Sequence, residues 1–110
     1  MTSTFDALAD PTRRRILELL RERPHLVGEL VELLEMSQPL ISKHLRVLRE
    51  VGLVSVRQDA QRRWYELNPT PLGEVDSWMQ PFRHLLEARY NRLDNLLKQL
   101  EKEENDHDET

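Results

Sequence analysis

The chain has 110 residues, 38% apolar and 33% charged, and contains no cysteine. That is the size of one domain with a modest core and a large surface, and it excludes a disulfide framework or a thiolate metal site. The net charge of −4 is unevenly spread: residues 101–110 (EKEENDHDET) hold six acids against one lysine, whereas residues 37–63 hold Lys43, Arg46, Arg49, Arg57, Arg62 and Arg63 against Glu50 and Asp59.

Ser3 or Thr4 caps a short first helix reaching Leu8, with Asp6 in its first turn. Asp10 then Pro11 opens a second helix: the carboxylate caps free N–H groups, and proline loses nothing at the first helical position. Ile16, Leu17 and Leu20 fall on one face, and Pro24 ends the run, leaving His25 in an exposed loop. Val27, Leu30, Leu33 and Leu34 mark a third helix, followed by a break at Glu35 and Met36. Ser37 caps a fourth helix with Pro39 in its first turn, a buried stripe of Ile41, Leu45 and Leu48, and Gly52 as the left-handed residue that closes it.

The period then changes from helix to strand. Residues 53–57 and 63–67 read as two strands joined by the polar connector QDAQR. Pro69 and Pro71 break the chain, and one long helix runs from Leu72 to Lys102, with Pro81 inside it as a kink or a later start. Residues 103–110 read as an acidic disordered tail, leaving 1–102 as one domain. The fold class is mainly α with a two-stranded β-wing, a winged helix-turn-helix.

That order of elements suits duplex DNA. A helix fits the major groove, and a hairpin beside it reaches toward the backbone or minor groove. Gln38, Ser42, Lys43, Arg46 and Arg49 lie mostly opposite the buried stripe of the fourth helix. Gln pairs with adenine, Lys or Arg with guanine, and Ser with bases or phosphates. Gln38, Pro39, Ser42 and Lys43, near the helix start, are the candidates for base edges, with Arg46 and Arg49 for phosphates. Arg57, Arg62 and Arg63 supply the wing. The plainer alternative is an amphipathic helix whose charges simply face water.

On the long helix, Met79, Phe82, Leu86, Leu93, Leu96 and Leu100 recur at spacings of three and four, interrupted by Arg89, and Trp78, Leu85, Tyr90 and Leu97 widen the stripe. So broad a face on so small a domain calls for a partner copy, with Phe5 and Leu8 joining the interface.

The stretches FDALADPTRRRILELL (5–20), VGELVELLEMSQPLISKHLRVLREVGLV (27–54) and RRWYELNP (62–69) resemble the ArsR family of bacterial winged-helix repressors. The resemblance spans about residues 5–100. It implies a homodimer built from the first and last helices, palindromic double-stranded operator DNA and repression that is often autogenous. By position, the family's DNA-reading residues fall on Ser37, Gln38, Pro39, Ser42, Lys43 and His44. The wing tip departs from the common glycine, carrying Asp59-Ala60-Gln61.

Two metal sites of the family find no match. Where one uses paired cysteines, this chain has Leu26 and Gly28. The other, on the last helix, would begin at Asp76, but Trp78, Arg89 and Arg92 occupy its remaining positions. His84 with Glu87 makes a weak i,i+3 pair, and His25 and His107 have no partner at ligand spacing. No metal and no cofactor are expected. Ser42 and His44 face different directions on one helix without a carboxylate, so no enzyme is expected either. No apolar run approaches the roughly 18 residues of a membrane span, and no basic-then-apolar leader is present, so the expected location is cytoplasmic with no membrane partner.

Overall fold

The computed structural model describes residues 2–108, with side chains through residue 105. Its elements run α1 (Thr4–Leu8), α2 (Pro11–Glu22), α3 (Val27–Leu34), α4 (Gln38–Glu50), β1 (Val54–Asp59), β2 (Arg62–Leu67) and α5 (Leu72–Asp108). Residues 1–75 form one compact unit, and the chain from Asp76 onward forms a second.

Local chemistry accounts for most helix boundaries. Ser3 is the first cap: its Oγ accepts from the Asp6 N–H while Asp6 accepts from the Ser3 N–H, a reciprocal capping box. The Ser3 hydrogen bonds hold the Asp6 carboxyl below its ordinary range. Asp10 Oδ1 accepts from the N–H groups of Thr12 (2.8 Å) and Arg13 (3.1 Å), and Pro11 follows it. At α4 the Leu53 N–H returns to the Leu48 carbonyl and the Gly52 N–H to Arg49, both at 3.0 Å, with Gly52 at φ 82. This is a Schellman closure, and Leu48 and Leu53, both fully buried, make its apolar contact.

The core of the first unit gathers Ala7, Ile16, Leu17, Leu20, Leu30, Ile41, Leu45, Leu48, Leu53, Val54 and Tyr65. The expected stripes of α2 and α4 are therefore the buried ones. Leu33 is the exception on α3: it is 52% exposed, and the face instead packs Val27, Val31 and Leu34 against Leu30. A helix of about two turns on a small core can bury only part of so broad an apolar set.

β1 and β2 pair antiparallel from Val54↔Leu67 to Asp59↔Arg62. Both strands are longer than the hydrophobic runs suggested, because ladder pairing continues through polar residues beyond the core. The connector is therefore two residues, Ala60 and Gln61, rather than five. Asn68 anchors the exit from the wing, its N–H donating to Leu53 (2.8 Å) and its side-chain amide to the Gly52 carbonyl (3.0 Å).

His25 corrects the expectation of an exposed loop. It is only 3% exposed, because its backbone pairs with Tyr65 of β2 in both directions, at 3.0 and 2.8 Å. The residue after Pro24 forms an isolated antiparallel bridge to the wing.

In the second unit α5 continues to Asp108, so residues 103–108, expected as disordered tail, are helical; 109–110 lie outside the described residues. No glycine or proline follows Pro81, and Glu and Lys favour helix. Pro81 stands inside the helix without ending it. An ion pair between Arg83 and Asp76 spans the proline turn.

Candidate nucleic-acid interface

α3 and α4 are joined by a tight turn. Glu35 takes a left-handed φ of 53, and the Met36 N–H returns to the Val31 carbonyl at 3.4 Å. Ser37 then starts α4: its carbonyl accepts from the Ile41 N–H at 3.0 Å and its Oγ from the Leu40 N–H at 3.4 Å. With Ile41, Leu45 and Leu48 buried, helical periodicity turns the remaining positions outward. Ser37, Gln38, Pro39, Ser42, Lys43, Arg46 and Arg49 are all exposed. Among the described residues, the side chains of Gln38, Ser42, Lys43, Arg46 and Arg49 make no hydrogen bond or ion pair. Their donors and charges are available to a ligand. Arg49 sits in the last turn, where a cation also suits the helix dipole.

His44 is placed differently. It is half-buried on the flank of α4, with Nδ1 3.4 Å from Nη1 of Arg13 in α2. The position that family resemblance assigns to DNA reading thus also makes an internal contact.

The wing cations divide in two. Arg57 Nε donates to Glu66 Oε1 at 2.7 Å, and Asp59 Oδ2 lies 4.0 Å from Arg57 Nη1. The Glu66 hydrogen bond raises the Arg57 pKa further above its ordinary value. Its charge is compensated within the hairpin. Arg62 and Arg63 are exposed beside the turn and, among the described residues, unpaired. Strand alternation puts them on opposite faces: Arg62 shares the face of Arg57 and Trp64, and Arg63 that of Val56 and Tyr65.

A second cluster supports the start of α3. Glu29 Oε2 accepts from Arg23 Nη2 at 2.6 Å and Oε1 from the Leu26 N–H at 3.1 Å. His25 Nδ1 lies 3.5 Å from Glu29 Oε2 without forming a hydrogen bond. The Arg23 hydrogen bond, then that of Leu26, lowers the Glu29 pKa to about 2. Sequence reasoning missed this cluster, as it missed Arg13, although Arg23, His25 and Glu29 lie within six residues of one another.

The family's metal positions offer no adequate donor set. Leu26 and Gly28 open α3, Asp76 is paired with Arg83, and Arg89 and Arg92 are exposed cations. Among the described residues no three histidine, aspartate or glutamate side chains come together. No helix among them is long and apolar enough to cross a membrane.

On α5, Trp78, Met79, Phe82, Leu86, Tyr90, Leu93 and Leu97 are exposed, as are Leu85, Leu96 and Leu100. The Trp78 and Phe82 rings meet at 4.9 Å between centroids, tilted by 37°. In α1, Phe5 is exposed, while Leu8 is half-buried and packs against the core of its own chain.

Comparison with known proteins agrees with this geometry. Residues 10–56, which contain α2, α3, α4 and the start of β1, match the model of the bacterial regulatory protein, arsR family. The chain is 38% identical to the transcriptional repressor SdpR of Bacillus subtilis over 82 residues, 74% of this chain and 91% of that protein. It is 44% identical over 78 residues to the HTH-type transcriptional regulator Rv2034 of Mycobacterium tuberculosis, covering 71% and 73% respectively. A crystal structure of an ArsR family transcriptional regulator superposes with a TM-score of 0.65 at 32% identity, covering 76% of this chain and 86% of that one. A helix-turn-helix with an unpartnered polar face, a hairpin wing and these relatives lead to one conclusion: the chain belongs to the ArsR family of bacterial winged helix-turn-helix transcription regulators, DNA-binding proteins rather than enzymes.

Proposed function

We propose that this regulator is a metal-free homodimeric repressor that binds palindromic operator DNA, including DNA upstream of its own gene. The observation that carries the reading is the division of α4 into a buried apolar stripe and an exposed side where Gln38, Ser42, Lys43, Arg46 and Arg49 have no intramolecular partner among the described residues. Gln38, Pro39, Ser42 and Lys43 read base edges, and Arg46 and Arg49 grip phosphates. Arg62 and Arg63 extend the phosphate contact from the wing. Residues 1–102 provide both DNA binding and dimerisation. The dimer forms through Phe5, Leu8 and the exposed stripe of α5, and its two-fold axis presents two copies of α4 to half-sites roughly 10 base pairs apart. The lack of an adequate donor set at the family's metal positions, where Asp76 is paired with Arg83, supports repression that does not depend on a bound metal.

The test is fluorescence anisotropy with the DNA upstream of the gene against a scrambled duplex, at two salt concentrations. Tight, salt-dependent and sequence-selective binding by a dimer is expected, and Lys43→Ala should weaken it while relaxing base preference. Equal affinity for both duplexes would remove the operator reading. A Lys43→Ala loss that is uniform across sequences would reassign Lys43 to the backbone. Metal ions added to the protein–DNA complex should leave the affinity unchanged; metal-driven release would overturn the metal-free reading.

A further inference from the structure

Arg13 joins three helices with one side chain. Its Nε donates to the Ala7 carbonyl at 2.7 Å and Nη2 to the Asp6 carbonyl at 3.0 Å, while Nη1 stands 3.4 Å from Nδ1 of His44. The two carbonyls belong to the last turn of α1, where helix oxygens run short of intrahelical partners, and that of Asp6 also accepts from the Ala9 N–H at 3.2 Å. The backbone N–H of Arg13 is itself held by Asp10 Oδ1, which fixes the base of the side chain. Asp10 has a lowered pKa: burial opposes its charge, but the Arg13 and Thr12 N–H groups that donate to its carboxylate outweigh that. A planar guanidinium directs its donors along set lines, so one edge can engage α1 while another meets α4. Arg13 and His44 are 31 residues apart, so only the fold brings them together.

We propose that Arg13 is a positioning residue for operator recognition: acting through His44, it sets the placement of the recognition helix α4 relative to α1. The inference rests on the dimeric operator-binding reading, in which α1 contributes Phe5 and Leu8 to the subunit interface. Apolar packing among Ala7, Ile16 and Ile41 keeps the three helices together without Arg13, but such packing is weakly directional. The His44 contact is long for a hydrogen bond and adds little stability; its consequence is orientation. In a dimer, any displacement of α4 is repeated by the symmetry axis, and two helices must still match a fixed half-site separation. His44 must be neutral with its proton on Nε2 to accept from Arg13.

The test is a double-mutant cycle read in operator affinity on the full chain, using Arg13→Gln, His44→Leu and the double variant, with His44→Asn as the acceptor-retaining control. Thermal midpoint and sedimentation are measured for each. Arg13→Gln should lower operator affinity about tenfold while the protein remains a folded dimer. The same change in the His44→Leu background should cost less than about twofold, and in the His44→Asn background it should again cost the full amount. Equal losses in all three backgrounds, or no loss in the wild-type background, would refute the coupling. If Arg13→Gln does not fold, Arg13→Lys takes its place in the cycle, since a point cation can cap α1 but lacks the rigid fork. Wild-type protein that neither dimerises nor binds the upstream DNA would remove the underlying reading. A selective wild-type dimer with an additive cycle would remove only the role of Arg13.

Discussion

Glu29 illustrates how one side chain can define an element. Leu26, the residue preceding α3, has no side-chain acceptor, so the first turn depends on Glu29 reaching back to the Leu26 N–H while binding Arg23. Its folded pKa of about 2 lies below the ordinary glutamate value of 4.5. A depressed carboxyl pKa contributes stability that is present above the unfolded value and lost as the pH falls through the folded one. Glu29→Gln should therefore cost about 1 kcal/mol in urea unfolding at pH 7, and the difference from wild type should shrink between pH 4.5 and 2. A difference unchanged at low pH would assign the effect to packing. Charge compensation makes an equally sharp distinction in the wing. Arg62→Ala and Arg63→Ala should each lower the salt slope of DNA binding by about 1, whereas Arg57→Ala, already paired with Glu66, should lower it much less. From the sequence the three arginines were equivalent; the antiparallel register decided which one is neutralised.

The hairpin shows what local chemistry does at the scale of an element. A two-residue connector is the tightest that antiparallel strands allow, and Ala60 occupies its first position at φ 56. Residues with a Cβ are strained there by about 1–2 kcal/mol, and glycine is the favoured residue where that position has positive φ. Ala60→Gly relieves the strain at a cost of about 0.4–1 kcal/mol in unfolded-chain entropy. A net gain of about 0.5–1 kcal/mol, measured as a higher urea midpoint at unchanged slope, is the expected outcome. A loss would mean that the turn is held without strain. The absence of the family's common glycine was legible in the sequence, as was a hairpin of some length. The turn itself was not, because strand ends depend on ladder pairing that carries no hydrophobic signal. The helix caps were legible in full at Asp10, Ser37 and Gly52, since each acts within about five residues of itself.

For the whole molecule, α5 is the element that the chain from Asp76 onward has to offer. Its 37 residues extend roughly 55 Å at helical rise, and Leu93 and Leu97, each about half exposed, sit well beyond Pro81. Charges placed there cost little in a lone chain but would be buried without partners in a dimer. Leu93→Glu combined with Leu97→Glu should yield a folded monomer by sedimentation. Its operator affinity should fall by about a hundredfold or more, because each half-site is then bound without the avidity of the pair. A dimer of undiminished affinity would place the subunit interface elsewhere.

Capping, periodicity and the polar side of α4 belonged to the sequence by itself, because their causes lie within one or two helical turns of each residue. Family membership followed from the same stretches. Tertiary structure alone decided that His25 is buried against Tyr65, that Arg57 is spent on Glu66 and that Arg13 reaches both α1 and His44. Each of these depends on groups brought together by the fold, at separations of 6 to 40 residues, where no sequence periodicity can specify which side chains meet.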